Sequence, residues 1–227
     1  MGSRPPSGGE RQSDSGAWGL CTEFMIQLPI SGVVLSVVDR QGYRSAVAAT
    51  DPVAARWDEL ELELGVGPLH EAVEDQAPQL IPDIARGSVN AMIGAQFERL
   101  GIRAAFAFPL VMGAATVGVA GLYRTTAGAL TADAVSDALS IARAVSIPAV
   151  RSALASAAGD DETEPFDNGA GIRREVHQAT GMISAQLDIT SSEAFARLRA
   201  TAIATERSIT AVSRDVVDRT IDFLDLE

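Results

Sequence analysis

The residues in this sequence that could do chemistry are mostly arginines near the carboxyl end. The stretch GIRREVHQATGMISAQLDITSSEAFARLRA, residues 171–200, carries Arg173, Arg174, His177 and Arg199. All 18 basic residues of the chain are arginine, and a guanidinium is a planar fork suited to phosphate groups and to guanine. These residue types therefore predict a surface that contacts phosphates or base edges.

The sequence offers little for catalysis or for holding a metal. Cys21 is the only cysteine, so an internal disulfide and a multi-cysteine zinc site are excluded. His70 and His177 are the only histidines, which disfavours a His-rich metal site, and no Ser/His/Asp grouping is evident. The Gly-Val-Gly stretch at 65–67 lacks the third glycine of a dinucleotide-binding loop. We therefore expect no enzymatic activity, no catalytic residue, no metal and no cofactor.

Two further polar features have structural explanations. His70, within PLHEAV, is expected to be a partly exposed helix residue rather than a ligand. The acidic run is expected to be a solvated helix face, because no histidine accompanies it to complete a metal site. Its members are Asp58, Glu59, Glu61 and Glu63.

Length and composition indicate a globular protein with ample material for a core. The chain has 227 residues, of which 47% are hydrophobic and 21% are charged. The net charge of -12 excludes a protein that coats nucleic acid or anionic membrane by charge alone. The N-terminus has no apolar run before a cleavage site, so we predict no signal peptide and expect a cytoplasmic location.

One uncharged stretch is long enough to cross a bilayer. Residues 104–123, AAFAFPLVMGAATVGVAGLY, contain no charged side chain. Proline and glycine interrupt the stretch, and Met-Gly-Ala at 112–114 fits a turn between β-leaning residues. We therefore predict two buried strands joined by a hairpin, with no membrane span here.

The order of predicted elements divides the chain into two domains. Strand patterns and helical patterns alternate up to a long alanine-rich helix at 131–155, opened by Thr131. An acidic segment rich in turn residues follows, and beyond it the pattern is purely helical. The predicted fold class is α+β, an antiparallel sheet domain followed by a small all-α three-helix bundle. The predicted boundaries are a flexible tail at 1–16, the sheet domain at 17–155, the acidic linker at 156–169 and the bundle at 170–227.

Two stretches of the first domain carry a family pattern. They are GVGPLHEAVEDQAPQLIPDI and FERLGIRAAFAFPLVMGAATVGVAGLY, and together they cover most of residues 65–123. In these residues the domain resembles a GAF domain, a sensor fold with a ligand pocket between the sheet and its covering loops and helices. Here the resemblance implies a small apolar pocket for a small molecule, or an interior filled by its own side chains. Many GAF domains of bacterial regulators have a cysteine where this chain has Leu69, so thiol or chromophore chemistry is not expected.

The second domain shows three amphipathic helices. In the first helix the buried stripe is predicted to oppose Arg174, His177, Gly181 and Ser184, with Arg173 and Thr180 at its border. The second helix opens on a capping box, Thr190 with Glu193, and Ser208 is predicted to cap the third. The apolar positions of the first helix are Ile172, Val176, Ala179, Ile183 and Leu187, and those of the third are Ile209, Val212, Val216, Thr220 and Leu224.

The pattern REVHQATGMISAQLDITSSEAFARLRATAIATERSITAVSRDVV is specific in its spacing. It resembles an ANTAR domain through Gln178-Ala179, Gly181, Leu187, the run Ser191–Arg199, Ala202, and Ile209 with Val212. The resemblance implies an RNA-binding module that holds a nascent RNA hairpin so that a transcription terminator cannot form. Joined to a GAF domain, it implies a signal-responsive regulator whose first domain senses and whose second acts. The candidate RNA-binding residues are Arg173, Arg174, His177, Thr180, Gly181, Arg199, Arg207 and Arg214.

Three alternatives stay open from the residues themselves. Thr180 and Glu206 stand where the family often has basic or amide residues, which favours a bundle that binds protein partners instead of RNA. Three short helices also imitate a DNA-binding helix-turn-helix, although the third begins with residues poor at reading bases. Gly181 costs about 1 kcal/mol in a helix relative to alanine, so it predicts a close approach, either of an RNA backbone or of a second helix in a dimer. We expect a homodimer through the alanine-rich helices around the domain junction.

Overall fold

The computed structural model describes residues 16–39, 44–87, 90–158, 167–205 and 207–226. The first unit contains five helices and five strands within these residues: α1 Ala17–Gln27, β1 Gly32–Val38, β2 Arg44–Ala49, α2 Pro52–Leu64, α3 Pro68–Glu74, β3 Gln79–Ile81, α4 Ala91–Arg99, β4 Ala104–Met112, β5 Ala115–Arg124 and α5 Ala132–Ala158. The second contains α6 Asp167–Leu187, α7 Ser191–Ala204, α8 Ile209–Val217 and a 3-10 turn at Phe223–Leu226.

The five strands form one antiparallel sheet in the order β2-β1-β5-β4-β3. The uncharged stretch forms its centre, because β4 and β5 pair as a hairpin that sets Phe108 opposite Ala120. Gly113 takes the left-handed conformation in the tight connection, with φ at 65°. The predicted hairpin and the predicted α+β class are therefore confirmed.

Helices cover both faces of the sheet. On one face α1 and α5 pack against Phe106, Phe108 and Leu122. On the other face α2, α3 and α4 enclose Trp57, with Phe97 at its edge in a T-shaped contact 5.7 Å between ring centroids. Because alternate residues of a strand point to opposite faces, β1 and β4 supply side chains to both cores.

Helix α5 is the one described helix that is long and apolar enough to cross a membrane by length and composition. It packs along the sheet through a buried stripe, and Thr131 caps its start by accepting a hydrogen bond from the Ala134 N–H at 3.2 Å. The apolar composition of α5 therefore has a packing explanation on one side. The buried stripe is Ala134, Ala138, Ile141, Ala142, Val145 and Ala149.

The second unit is a three-helix bundle in which α6 packs against both α7 and α8. Among the described side chains, the buried stripes follow the predicted spacing up to Val216, and the side chain of Ile172 lies outside the described residues. Beyond it the prediction is wrong, because α8 ends at Val217, Thr220 is exposed and Leu224 is 59% exposed. The chain turns after α8, and Phe223 closes the base of the core instead.

The predicted domain boundaries fall close to breaks between elements. The tail at 1–15 and the centre of the predicted linker, 159–166, lie outside the described residues. Helix α5 extends to Ala158 and α6 begins at Asp167, so each helix reaches into the predicted linker. The division into two domains stays a prediction.

Replacing Thr190 by alanine is expected to destabilise the bundle by about 1 kcal/mol. The Thr190 hydroxyl accepts from the Glu193 N–H at 3.3 Å, and the Glu193 carboxylate accepts from the Thr190 N–H at 2.9 Å, as the predicted capping box requires. Urea unfolding followed by circular dichroism measures the loss. Thr210→Ala, in the first turn of α8, is the matched control, because Thr210 makes no side-chain hydrogen bond within the described residues. Equal stabilities of the two variants would contradict this role of the cap.

Candidate functional site

The interior between the sheet and helices α2–α4 is filled by the protein's own side chains. Trp57, Leu69, Ile93 and Phe97 are all fully buried there. Packing is so close that a methyl group added at Gly121 would lie 2.5 Å from the Leu69 side chain. Of the two expectations for this space, the described residues therefore favour the filled interior over an open pocket.

The acidic run on α2 differs from the expectation of a solvated face. Asp58 and Glu61 are buried, 4% and 1% exposed, whereas Glu59 and Glu63 remain near the surface and pair with Arg56. Burial is tolerated because Arg44, which begins β2, reaches both buried acids. Its Nε lies 3.2 Å from Asp58 Oδ1 and its Nη1 lies 3.6 Å from Glu61 Oε2.

Glu61 caps the neighbouring helix across space. Helix α3 starts after Gly67, which has no side chain to accept from the first free N–H groups. The Glu61 carboxylate does so instead, accepting from the N–H groups of Leu69 at 2.9 Å and His70 at 3.0 Å. Its other oxygen accepts from the indole N–H of Trp57. The carboxyl group therefore links α2, α3 and the buried tryptophan.

Burial raises the pKa of Glu61 from its ordinary value of 4.5 to about 7, with the Asp58 charge adding to the rise. The charge of Arg44 and the N–H donors of Trp57 and His70 act in the opposite direction. An acid of this kind changes its protonation near neutral pH. Its position inside the packed core gives it a role in stability rather than contact with a substrate.

The other candidates for chemistry in this unit are Cys21 and His70. Cys21 is buried, and burial raises the pKa of its thiol to about 12. The His70 side chain is 43% exposed and its Nε2 lies 3.2 Å from Glu74, as expected for a partly exposed helix residue. Within the described part of the chain no cluster of His, Cys, Asp and Glu could hold a metal ion.

Among the described residues of the bundle, α6 exposes a strip of surface that contains a glycine. Gln178, Gly181 and Ala185 are exposed and follow one another at helical spacing, opposite the buried stripe. A side chain built at Gly181 would meet nothing within 4 Å. Gly181 therefore has no role in packing within its own bundle. We call this surface the α6 strip, and the absence of a side chain at Gly181 leaves its centre without a protrusion.

Three of the predicted basic residues make contacts within the chain. Arg214 pairs with Glu175 of α6 at 3.2 Å, and Arg207 pairs with Asp215 at 2.6 Å. The Arg199 guanidinium lies against Gly65 at the end of α2. Each of these three arginines is thus engaged within the chain.

Thr180 is a correction to the predicted site. It is only 3% exposed, and its hydroxyl donates to the Val176 carbonyl oxygen at 2.8 Å. The residue faces the core because it follows Val176 by four positions and Ala179 by one. The side chains of the three remaining candidates, Arg173, Arg174 and His177, lie outside the described residues.

One residue that sequence reasoning missed is Arg219. It lies in the turn after α8 and lines a groove beside the α6 strip. The position after a helix end is commonly a glycine, and here it is an arginine, which is unusual. The sequence alone did not reveal this, because the end of α8 at Val217 was not predicted.

Each unit is similar to a known kind of protein domain. Residues 172–217 match the family model of the ANTAR domain. The sheet unit is similar to a domain of a protein from Sinorhizobium meliloti 1021 described as a two-component sensor histidine kinase, with 17% identity, a TM-score of 0.50, and coverage of 63% of this chain and 94% of that one. It is also similar to the GAF domain region of a Geobacter sulfurreducens PCA protein, with 16% identity, a TM-score of 0.50, and coverage of 59% and 89%. No curated protein matched the chain in a sequence search.

The first unit therefore has the GAF fold, and the second unit contains the match to the ANTAR domain. Both findings are consistent with a GAF plus ANTAR protein, as the resemblance of its sequence implied.

Replacing Glu61 by glutamine is expected to flatten the pH dependence of stability in the GAF-like unit. Because the pKa of Glu61 is higher in the folded state, its contribution to the free energy of unfolding is present below about pH 4.5 and is lost as pH rises through about 7. Urea unfolding at about pH 5, 6, 7 and 8 measures the difference in the free energy of unfolding between wild type and Glu61→Gln. That difference should shrink as pH rises.

Glu59→Gln is the matched control for Glu61, because Glu59 lies on the same helix and pairs at the surface with Arg56. It should leave the pH profile of the wild type unchanged. A constant difference between wild type and Glu61→Gln across this range would contradict the titration of Glu61.

Proposed function

We propose that this protein is a cytoplasmic, non-enzymatic transcription antitermination regulator. Its ANTAR domain binds hairpins in nascent RNA, and its GAF-like domain senses a signal. The observation that carries the proposal is the match of residues 172–217 to the ANTAR domain. The proposed division is a GAF-like domain at 17–155 and an RNA-binding domain at 170–227.

The charge of the bundle determines how it would recognise RNA. From residue 169 to residue 227 there are seven arginines and nine acids, so neutralisation of phosphates supplies little affinity. Two of those arginines, Arg207 and Arg214, also form ion pairs within the bundle, which partly neutralise their charge. Recognition must then rely on shape and on loop bases, for which the low α6 strip offers an unobstructed surface.

A bundle that binds a protein partner is the second candidate function. The ion pairs of Arg207 and Arg214 favour it, because they leave fewer cations for RNA. A DNA-binding regulator is weaker, since α8 would be the recognition helix and opens with Ile209, Thr210 and Ala211. Specific binding of a duplex would restore the DNA reading, and dimerisation without RNA binding would support the protein-partner reading.

The two units touch, which gives the sensor a route to the bundle. Arg199 of α7 lies against Gly65 at the end of α2. A groove of about 160 Å³ beside this contact is lined by both units, at Glu63, Leu64, Ala202, Ile203, Arg207 and Ile209. A signal that shifts α2 would change this contact and so release or hold α7.

The exposed face of α5 is suited to be the interface of a homodimer. Ser140, Ile147 and Leu154 are exposed and recur every seven residues, as in a helical seam. Antiparallel pairing about Ala144 places Asp137 near Arg151 of the partner subunit, whereas parallel pairing in register opposes like charges. Exposed apolar residues of the neighbouring α1 extend the surface, namely Trp18, Met25 and Ile26.

Gly181→Leu is expected to weaken RNA binding by at least about tenfold, because a bulky side chain would stand on the α6 strip. The measurement is fluorescence anisotropy of the full chain with hairpin RNAs selected from a pool with randomised loops, at low and high salt. Folding should be preserved, since the site is open and leucine favours helix more than glycine does. Gly94→Leu in α4 is the matched control, because a side chain there also meets nothing within 4 Å. Wild-type affinity no higher than that for an unrelated hairpin would refute the proposed function.

Ile147→Glu is expected to weaken the dimer by at least about tenfold, because it places a charge in an apolar seam. Analytical ultracentrifugation of the full chain measures the dissociation constant. Met92→Glu, at an exposed apolar residue of α4 on the other side of the sheet, should leave it unchanged. A monomeric wild type, or equal effects of the two variants, would remove this interface.

A further inference from the structure

A groove on the ANTAR domain lies between α6 and the turn that follows α8. Its volume is about 330 Å³ and it is open to solvent on one side, whereas small-molecule sites have volumes of about 300–1,000 Å³. One edge is Ala185, which also belongs to the α6 strip, so the groove and the strip are continuous. The residues lining it are Met182, Ala185, Gln186, Arg219, Ile221 and Asp222.

Arg219 is held at the groove by a strained backbone. The turn closes through hydrogen bonds from Arg219 N to Val216 O at 3.0 Å and from Thr220 N to Asp215 O at 2.7 Å. This is the helix ending in which glycine normally occupies the left-handed position, yet Arg219 occupies it with φ at 58°. The left-handed conformation costs a non-glycine residue about 1–2 kcal/mol, and such strain is concentrated at functional sites.

The side chain of Arg219 is exposed and makes no hydrogen bond or ion pair within the described residues. It differs in this from Arg207 and Arg214, which are ion-paired. A free guanidinium plane beside an apolar floor can stack on a flat aromatic ring.

Two hydrogen-bond acceptors complete the groove. The Oε1 atom of Gln186 is buried and has no hydrogen-bond partner within the described residues. The Asp222 carboxylate uses one oxygen to accept from Leu224 N at 3.0 Å, which leaves the other oxygen available. Because Asp222 balances the charge of Arg219, the groove suits a neutral, flat, hydrogen-bonding group better than a phosphate.

We propose that this groove binds one unstacked nucleobase from the loop of an RNA hairpin lying on the α6 strip. Met182 and Ile221 form the apolar floor, and the Arg219 guanidinium stacks on the base. Gln186 and Asp222 accept hydrogen bonds from its edge. The inference rests on the proposed RNA-binding function and names a contact that the family match does not specify.

The acceptors select among the bases. Adenine, cytosine and guanine each carry an exocyclic amino group that can donate to Gln186 or Asp222. Uracil presents two carbonyl acceptors around a single N–H, so it leaves at least one acceptor of the groove unpaired. The groove therefore takes a base with an exocyclic amino group and disfavours uracil.

The test uses the full chain and the tightest hairpin from a pool with randomised loops. Each loop nucleotide is replaced in turn by an abasic nucleotide and by uridine, and affinity is measured by fluorescence anisotropy. With wild type, one loop position should lose roughly 5- to 100-fold on removal of its base. At that position uridine should bind nearly as weakly as the abasic nucleotide.

Two variants assign that position to the groove. Arg219→Gly removes the guanidinium and also relieves the left-handed strain, so it should raise thermal stability while weakening RNA binding. Gln186→Leu keeps the volume and removes the acceptor. In Arg219→Gly the abasic substitution should have a smaller effect than in wild type at the sensitive position, because the stacking contact is already lost, and an unchanged effect at the others. Gln186→Leu should reduce the discrimination against uridine there.

Gln76→Gly is the matched control, because Gln76 also has a left-handed φ of 54° but lies in the GAF-like unit. It should gain stability without changing RNA affinity. If Arg219→Gly and Gln186→Leu leave every loop position as sensitive as in wild type, the groove is not the base site, although RNA binding stands. If wild type binds no hairpin better than an unrelated one, the proposed function fails and this inference fails with it.

Discussion

The GAF-like unit depends on the buried carboxyl group of Glu61. This carboxyl group accepts hydrogen bonds from the first free N–H groups of α3 and from the indole N–H of Trp57. It also lies beside the guanidinium of Arg44. Because Gly67 supplies no cap of its own, α3 would otherwise begin inside the protein with unsatisfied donors. A chain of polar contacts therefore holds the helical layer on the sheet, while apolar packing fills the space around it.

The bundle uses its charges in a different way. Arg214 ties α8 to α6 through Glu175, and Arg207 bonds to Asp215, so these charges stabilise the fold. What remains on the outside is a low strip on α6 and a neutral groove with one unpaired guanidinium. For the RNA recognition that we propose, this arrangement in an acidic protein makes shape and base contacts more important than phosphate contacts, since attraction to phosphate is weak.

Elements governed by local rules were predicted well. Thr190 forms its capping box with Glu193, and Ser208 caps α8 by accepting from Ala211 N at 3.1 Å. The uncharged stretch became a hairpin because its glycines and its β-leaning residues lie next to one another in sequence. Predictions failed where helical spacing was continued past Val217, since a left-handed residue ends α8 there.

The sequence by itself determined the α+β class, the capped helices, the buried stripes and the ANTAR pattern, because each depends on neighbours within a few turns. Only the tertiary structure decided which charges are free. Asp58 and Glu61 alternate with half-buried acids on α2, and their burial follows from Arg44, which lies on strand β2. In the same way, Arg219 differs from Arg214 because Glu175 of α6 reaches one and not the other. Partners distant in sequence set burial and ion pairing, so the pattern of residue types along the chain does not contain them.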